Sequence, residues 1–301
     1  MIKSTFSIKD LENLSGIKAH TIRIWEKRHH LLEPDRSETN IRVYNLHALQ
    51  KILNVSYLKN TGMKISAIAT LSNEEIEHRV RTQAESAHQH NLRLQELKLA
   101  MVNFDENLFN NVYEAELSQK GFDKVFYDLL IPLLEELGSL WQTNTINIAH
   151  EHFISNLIKQ KLLIQTQVLD SRQESLDSPT YILFLPENEM HDLGLLFLNY
   201  RLRSAGFHTI FLGASMKLDT LSFFQRNGQN PTFVTFITVQ PTSKKLPKFL
   251  KKFNSKVNQA PLVLLGTKTA DLDQEILTPN QKVFKSIEHA MNYFEEQLQS
   301  I

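Results

Sequence analysis

Glu189, His191 and Gly194 stand at Glu-x-His-x-x-Gly spacing within Pro186-Glu187-Asn188-Glu189-Met190-His191-Asp192-Leu193-Gly194. A histidine that binds a metal through one ring nitrogen needs an acceptor for the other, so a carboxylate two residues away suits a metal ligand. An apolar run, Tyr181 to Leu185, precedes the stretch, and a helical pattern, Leu193 to Arg203, follows it. This predicts His191 on a strand-to-helix loop, at the carboxyl end of a sheet where ligands bind. A loop histidine that only hydrogen-bonds is the competing reading. A second group lies upstream, where Trp141 is followed after nine residues by Glu151 and His152. Trp141 ends one helical pattern and Glu151-His152 opens the next, so indole, carboxylate and imidazole can face one end of a helical bundle. A buried tryptophan beside a solvated His-Glu-His cluster is the alternative there.

A third group is basic. Thr21, Arg23, Lys27 and Arg28 lie on a helical pattern, Lys18 to Arg28. From one helix these side chains can reach base edges and phosphates in a major groove. Arg36 and Arg42 flank a polar, turn-rich stretch within Leu31–Tyr44 that fits a small β-wing, where they are placed to hold phosphates.

The elements that must position these groups follow from periodicity. Ser7 can cap a short helix with Ile8, Leu11 and Leu14 on one face. Ser15-Gly16-Ile17 is a tight turn into the second helix, making a helix-turn-helix in which Ile22 and Trp25 face the core. Two short helices follow the wing, at about 46–60 and 64–69. The polar stretch from Ser72 to His90 reads as a connecting helix or hinge. Leu97, Met101, Phe104, Leu108 and Ala115 form one buried stripe, and Phe122 to Leu137 a second, with Pro132 expected to kink it. Ile148 to Leu169 forms a third. With one more helix from 74–90 these make a four-helix bundle. After a polar linker, Ser171 to Pro179, strands at 181–185, 209–212, 233–239, 262–265 and 283–284 alternate with helices at 193–203, 218–226, 243–253 and 287–298. That alternation predicts a flavodoxin-like, doubly wound parallel sheet. The fold class is thus multidomain, α plus α/β. Its segments are 1–72 (winged helix-turn-helix), 73–90 (connection), 91–170 (bundle) and 180–301 (sheet domain).

Composition narrows the functions. The 301 residues have a hydrophobic fraction of 42% and no cysteine, which excludes disulfides and thiolate metal sites. No apolar run approaches the roughly 18 residues of a membrane span, and the N-terminus has no signal-peptide core, so a cytoplasmic protein is expected. The 33 Lys and Arg balance 33 Asp and Glu, yet residues 1–70 hold 11 of the former against 6 of the latter. A basic head on a neutral chain points to a polyanion partner.

The head resembles the MerR family of winged-helix transcription regulators. The resemblance rests on Ile8-x-x-Leu11, Gly16-Ile17, Thr21-Ile22-Arg23-x-Trp25-Glu26-x-Arg28, Leu32-x-Pro34-x-Arg36 and Arg42-x-Tyr44. It implies a homodimeric binder of double-stranded operator DNA that uses Arg23, Arg28, Arg36, Arg42 and Tyr44. His29 stands where the family often has tyrosine. A helical bundle followed by a flavodoxin-like domain resembles the cobalamin-binding module of corrinoid proteins, whose Asp-x-His-x-x-Gly supplies the lower histidine to cobalt. Glu189-x-His191-x-x-Gly194 and Trp141-x9-Glu151-His152 resemble the light-responsive, adenosylcobalamin-dependent MerR repressors of the CarH/LitR type. The resemblance implies His191 on cobalt, Glu189 holding its other nitrogen, and Gly194 admitting the macrocycle. It implies Trp141 over the upper ligand, Glu151 bonding to it, and His152 able to meet cobalt once that ligand is lost. An oligomer, dimer or tetramer, that does no enzymatic chemistry is implied as well. The chain departs from the corrinoid pattern where the nucleotide tail enters. Thr238 is the best match for the serine after the third strand, and Gly266-Thr267 replaces a Gly-Gly after the fourth. Either the pocket takes the tail in an adjusted pose, or corrinoid binding is altered and the module serves dimerisation, a partner protein or another ligand.

Overall fold

In the computed structural model, residues 5–37, 40–83, 89–169, 179–225, 231–269 and 272–299 are described. The chain forms two compact units, Met1–Leu157 and Ile158–Ile301.

The first unit opens with β1 (Thr5–Phe6) and α1 (Ile8–Ser15). Ser7 Oγ accepts from the Asp10 amide while the Asp10 carboxylate accepts from the Ser7 amide. This reciprocal cap is worth about 1 kcal/mol. Gly16, at φ +75°, ends α1 in the left-handed conformation that the tight turn requires. α2 (Ala19–His29) buries Ile22 and Trp25. β2 (Asp35–Arg36) and β3 (Arg42–Asn45) form the wing, an antiparallel sheet of order β1-β3-β2. α3 (Leu46–Asn60) and α4 (Ile65–Ile68) follow. α5 (Asn73–Gln83) packs on α3 and buries Ile76 and Val80. Part of the expected connection therefore belongs to the head.

The bundle has four helical rods, reached differently from expectation. Residues 97–115 are not one helix. α6 (Gln89–Asn103) stops at Phe104, at φ +53°, and α7 (Glu106–Lys120) starts where the Asp105 carboxylate accepts the Leu108 amide at 2.9 Å. That cap supplies the extra helix, so none is needed from 74–90. The third rod is α8 (Phe122–Val125), a π-helical turn (Phe126–Leu130) and α9 (Ile131–Gln142). Pro132 lacks an N–H, and the i→i+5 turn directly before it is where the ladder adjusts. α10 (Ile148–Val168) closes the bundle and runs on into the second unit.

In the second unit β4 (Thr180–Pro186), α11 (Leu193–Ser204), β5 (His208–Met216), α12 (Leu218–Leu221), β6 (Thr232–Phe236), α13 (Leu246–Lys256), β7 (Leu262–Leu265), β8 (Gln281–Val283) and α14 (Ile287–Gln299) alternate. The five strands are parallel, in the order β5-β4-β6-β7-β8. Period-two alternation sorts the core. Tyr181, Leu183 and Leu185 pack with Leu195, Leu198, Ala290 and Phe294 of α11 and α14. Ile182 and Phe184 pack with Leu221, Leu246, Leu250 and Phe253 of α12 and α13. The predicted doubly wound sheet is thus present, with its ends shifted. β5 extends to Met216, and α12 is a single turn followed by a 3-10 turn, Ser222–Gln225. α13 begins at Leu246 rather than Ser243, with Pro247 in its first turn, where a missing N–H costs nothing. The third strand ends at Phe236 rather than Val239: Ile237 N still donates to Leu265 O of β7 at 2.7 Å, but the amides of Thr238, Val239 and Gln240 bond to a side chain instead of a neighbouring strand. The expected linker at 171–178, the wing tip at 38–39 and the expected helix end at Arg226 lie outside the described residues. No helix among the described residues is long and apolar enough to cross a membrane.

Candidate functional site

The order β5-β4-β6 places a topological switch point at β4, and the loop after β4 carries Glu189 and His191. A turn closes from Glu189 N to Pro186 O at 2.9 Å, and Asn188 takes φ +69° within it. Glu189 is fully buried. Its Oε1 accepts from the amides of Met190 and His191, both at 3.0 Å, and from His191 Nδ1 at 2.6 Å. Its Oε2 accepts from the amides of Thr238, Val239 and Gln240 at 3.1, 2.6 and 2.7 Å. Burial alone would push this carboxyl up. The amides of Gln240, Val239 and His191, with the His191 ring, outweigh burial and hold it below the usual carboxylate range.

An ionised carboxylate only accepts, so Nδ1 carries a proton toward Glu189 and Nε2 is the ring nitrogen left facing away from it. The His191 side chain is 57% exposed. The loop therefore offers one oriented imidazole nitrogen at the carboxyl edge of the sheet. One nitrogen is a single ligand, so a metal that takes it must bring the rest of its coordination sphere, as a macrocycle does. The donor set fits a corrinoid cobalt in this respect. Lys159 Nζ, on the part of α10 that belongs to this unit, lies 2.5 Å from Asp192 Oδ2 beside His191.

The two glycines of the expected pocket serve the chain itself. A Cβ on Gly194 would meet the Phe236 ring at 2.7–2.9 Å. Gly194 thus seats the Phe236 ring against the start of α11. At Gly266, φ +104°, a Cβ would lie 2.3 Å from Ile237 O. Thr238, the expected match for the tail serine, lies past the strand end. Its amide is held by Glu189 and its carbonyl by Thr267 Oγ1 at 3.1 Å. The residue that ends the strand against α11 is Phe236, which sequence reasoning passed over because it extended the strand to Val239.

In the first unit Trp141 ends α9 and Glu151-His152 opens α10, joined by the short segment 143–147. Trp141 is 56% exposed. Glu151 takes Ser155 Oγ on Oε1 at 2.7 Å, and His152 Nδ1 is 3.3 Å from its Oε2. His150 is buried and stacks on Phe104, with centroids 4.7 Å apart. Of the expected His-Glu-His cluster, His152 and Glu151 meet solvent and His150 belongs to the core.

On α2, Arg23, Lys27 and Arg28 are exposed, and Thr21 and His29 are half-buried. Arg36 is exposed on the wing and donates to Asn40 Oδ1 at 2.7 Å. Tyr44 is not on that surface. It is 1% exposed, its hydroxyl donates to Glu26 Oε1 at 2.5 Å, and burial followed by Glu26 pushes its phenol up. Arg42 Nε lies 3.2 Å from Glu26 Oε2, an ion pair. Glu26 thus pins the wing to the helix. The available signal was Arg42-x-Tyr44, which puts both side chains on one face of β3.

Comparison with known proteins adds the lineage. The MerR HTH family regulatory protein profile matches residues 6–75, and the B12 binding domain profile matches residues 93–164. The chain is 27% identical over 229 residues to the HTH-type transcriptional repressor CarH of Myxococcus xanthus, covering 73% of this chain and 75% of that protein. It is 29% identical over 214 residues to the HTH-type transcriptional repressor CarA of the same organism, covering 70% and 68%. These relatives are repressors, not enzymes. Among solved structures, the Methanosarcina barkeri monomethylamine corrinoid protein superposes with a TM-score of 0.56 at 14% identity, over 69% of this chain and 99% of that one, a likeness of fold. A MerR helix-turn-helix head joined to a B12-binding module makes this chain a homologue of the CarH and CarA repressors.

Proposed function

We propose that this chain is a DNA-binding transcriptional repressor gated by adenosylcobalamin and light through a change of oligomeric state, dimer or tetramer. The observation that carries the reading is the Glu189-locked imidazole of His191 at the switch point, in a chain headed by a basic helix-turn-helix. In this reading residues 1–72 bind the operator, 73–90 connect, 91–170 cap the corrinoid and 180–301 hold it. Arg23, Lys27 and Arg28 of α2, with Arg36 of the wing, meet phosphates and base edges. His191 Nε2 would hold cobalt, while Glu189 fixes the tautomer. Trp141 and Glu151 would face the upper ligand, and His152 would be free to approach the metal once that ligand has gone. When bound, the corrinoid supplies a cobalt–carbon bond that light can break.

A route from the cap to the head is supported by contacts within the first unit. Buried Lys98 of α6 donates to Leu14 O at the end of α1 (3.1 Å) and to Glu136 Oε2 on α9 (2.8 Å). Asn13 Nδ2 donates to Thr145 Oγ1, between α9 and α10, at 2.7 Å. The helix that precedes α2 is therefore bonded to the elements that bear Trp141, so a shift of α9 moves the DNA-reading pair.

The test is reconstitution of the full chain with adenosylcobalamin in the dark. A histidine-ligated corrinoid spectrum and operator retention in a gel shift are expected, both changing after green light. A chain that emerges from the dark without bound corrinoid sinks the reading. A His191→Ala variant with unchanged light and dark operator binding would instead favour a dimerisation or partner-binding role.

A further inference from the structure

Cobalamin carries its nucleotide loop on the same ring face from which its own base reaches cobalt. An imidazole such as His191 that takes that place leaves the loop and base to be lodged in protein or left in water. The corrinoid resemblance puts the space that would lodge them between strand and helix at this sheet edge, beside His191. The chain fills it. On the α11 face the Phe236 ring lies against Gly194 so closely that a Cβ there would be 2.7 Å from Cε1. On the α13 face Ile237 is 0% exposed and packs among Leu246 and Leu250.

The segment that leaves β6 has no slack to open. Its amides at Thr238, Val239 and Gln240 are held by Glu189 on one side. On the other, Lys268 N donates to Ile237 O at 3.1 Å and Thr267 Oγ1 to Thr238 O at 3.1 Å. At Gly266 the β7 loop lies so close to the Ile237 backbone that a Cβ would be 2.3 Å from Ile237 O. Moving this segment aside for a tail would strip donors from a buried carboxylate, which is costly.

Resting on the corrinoid reading above, we infer that this domain grips a corrinoid by its ring and cobalt alone. Phe236 is the residue that shuts the nucleotide tail out. The ligand class is therefore set by the corrin ring and the upper ligand, and tail-less cobinamides are accepted as readily as cobalamins.

The experiment titrates the full chain in the dark with adenosylcobalamin and with adenosylcobinamide, read by absorbance, for wild type, Phe236→Ala and His191→Ala. Wild type is expected to bind the two within about threefold of each other. Phe236→Ala, by opening the slot, is expected to favour the cobalamin by about tenfold or more. His191→Ala is expected to lose the histidine-ligated spectrum with both. Wild-type binding of cobalamin some thirtyfold tighter than cobinamide overturns the inference and leaves the corrinoid reading standing. Failure of wild type to bind either compound overturns both. Should Phe236→Ala fail to fold, the wild-type ratio decides. The dimethylbenzimidazole proton resonances of bound cobalamin decide independently: sharp, unshifted lines support a tail in water, and broadened, shifted lines refute it.

Discussion

Six N–H donors converge on the two carboxylate oxygens of Glu189, whereas Trp141 and His152 lie in water with one loose pair, His152 to Glu151, between them and the core. Both regions were singled out from sequence as faces of one ligand site, yet they are built differently. At the sheet edge the protein has already placed the imidazole, its tautomer and its backing, at the expense of one buried charge. At the bundle end the candidate groups sit near helix termini, where only Glu151 has a close partner outside the group, Ser155 Oγ at 2.7 Å, among the hydrogen bonds of the described residues. Under the proposed function, a held imidazole and a loosely held Trp141 group would suit a sensor whose grip and whose signal are separable. The difference also orders the substitutions that test it.

The largest expected effect is Glu189→Gln. Each carboxylate oxygen accepts three bonds, so an amide NH2 placed at either position would face only donors. Removing one partner of such a buried network costs about 3–5 kcal/mol. A urea midpoint of the C-terminal transition, followed by circular dichroism, should fall accordingly. A change below about 1 kcal/mol would mean that the donors find water and the loop is not pre-formed. The pH dependence has a definite sign. Glu189 is depressed in the fold, so its contribution is present in full above the unfolded carboxylate value of about 4.3 and is lost as pH falls through the lower folded value. The gap between wild type and Glu189→Gln should therefore be widest at neutral pH and narrow in acid.

Lys98→Met comes next and probes how the loose cap reaches the head. Methionine keeps the apolar stem but removes the donor from Leu14 O and Glu136. Glu136 is partly exposed and can turn to water, so the cost is an orphaned carbonyl, about 1–3 kcal/mol. The informative readout is operator affinity in light and dark. A variant that still binds corrinoid but no longer changes its DNA affinity places Lys98 on the route from cap to head. An unaltered light response removes it.

His191→Ala should hardly affect stability, which separates the ligand from its support. The ring is 57% exposed and contributes one hydrogen bond, so the loss is about 1 kcal/mol, read in the same urea transition. The other five donors still hold Glu189. A loss as large as that of Glu189→Gln would show that the loop depends on the imidazole and would erase the distinction between ligand and scaffold.

The same contrast explains what was legible in the sequence. The His191 loop could be read because it is local. An apolar strand, a Glu-x-His pair and a helical period sit in one stretch, and the switch point follows from alternation. What escaped was non-local. Three of the six donors on Glu189 come from residues 238–240, some 50 positions away, and nothing in their side chains marks them. Phe236 reads as an ordinary strand residue, because the apolar run continues to Val239 and only the capture of the Thr238, Val239 and Gln240 amides by Glu189 turns the chain out of the sheet. In the bundle, the stripe from Leu97 to Ala115 kept its period through a break that Asp105 makes. Two helices that meet end to end preserve a three-four spacing almost as well as one. In the head, burial of Ile22 and Trp25 is plain from period, but the inward Tyr44 hydroxyl meets Glu26 of α2, 18 positions away.

Trp141→Ala should have the smallest effect on the free protein and bears most directly on the cap. An indole 56% exposed at the end of α9 contributes little packing, so the unfolding midpoint of the first unit should move by no more than about 0.5 kcal/mol. If the ring instead becomes buried over an upper ligand, its loss should be felt only in the complex. Affinity for a corrinoid with a bulky upper group should fall by about tenfold, and affinity for the aquo form should stay nearly constant, because the ring has nothing to cover there. The chain's other tryptophan, Trp25, is buried in the head, so quenching of the exposed indole's emission on corrinoid addition reports the same event. A Trp141→Ala variant that destabilises the free bundle by more than about 1 kcal/mol would mark the indole as part of the core. Equal weakening of both corrinoids would place its contact on the ring rather than the upper ligand. The cap would then be, like the sheet edge, part of the grip and not of the signal.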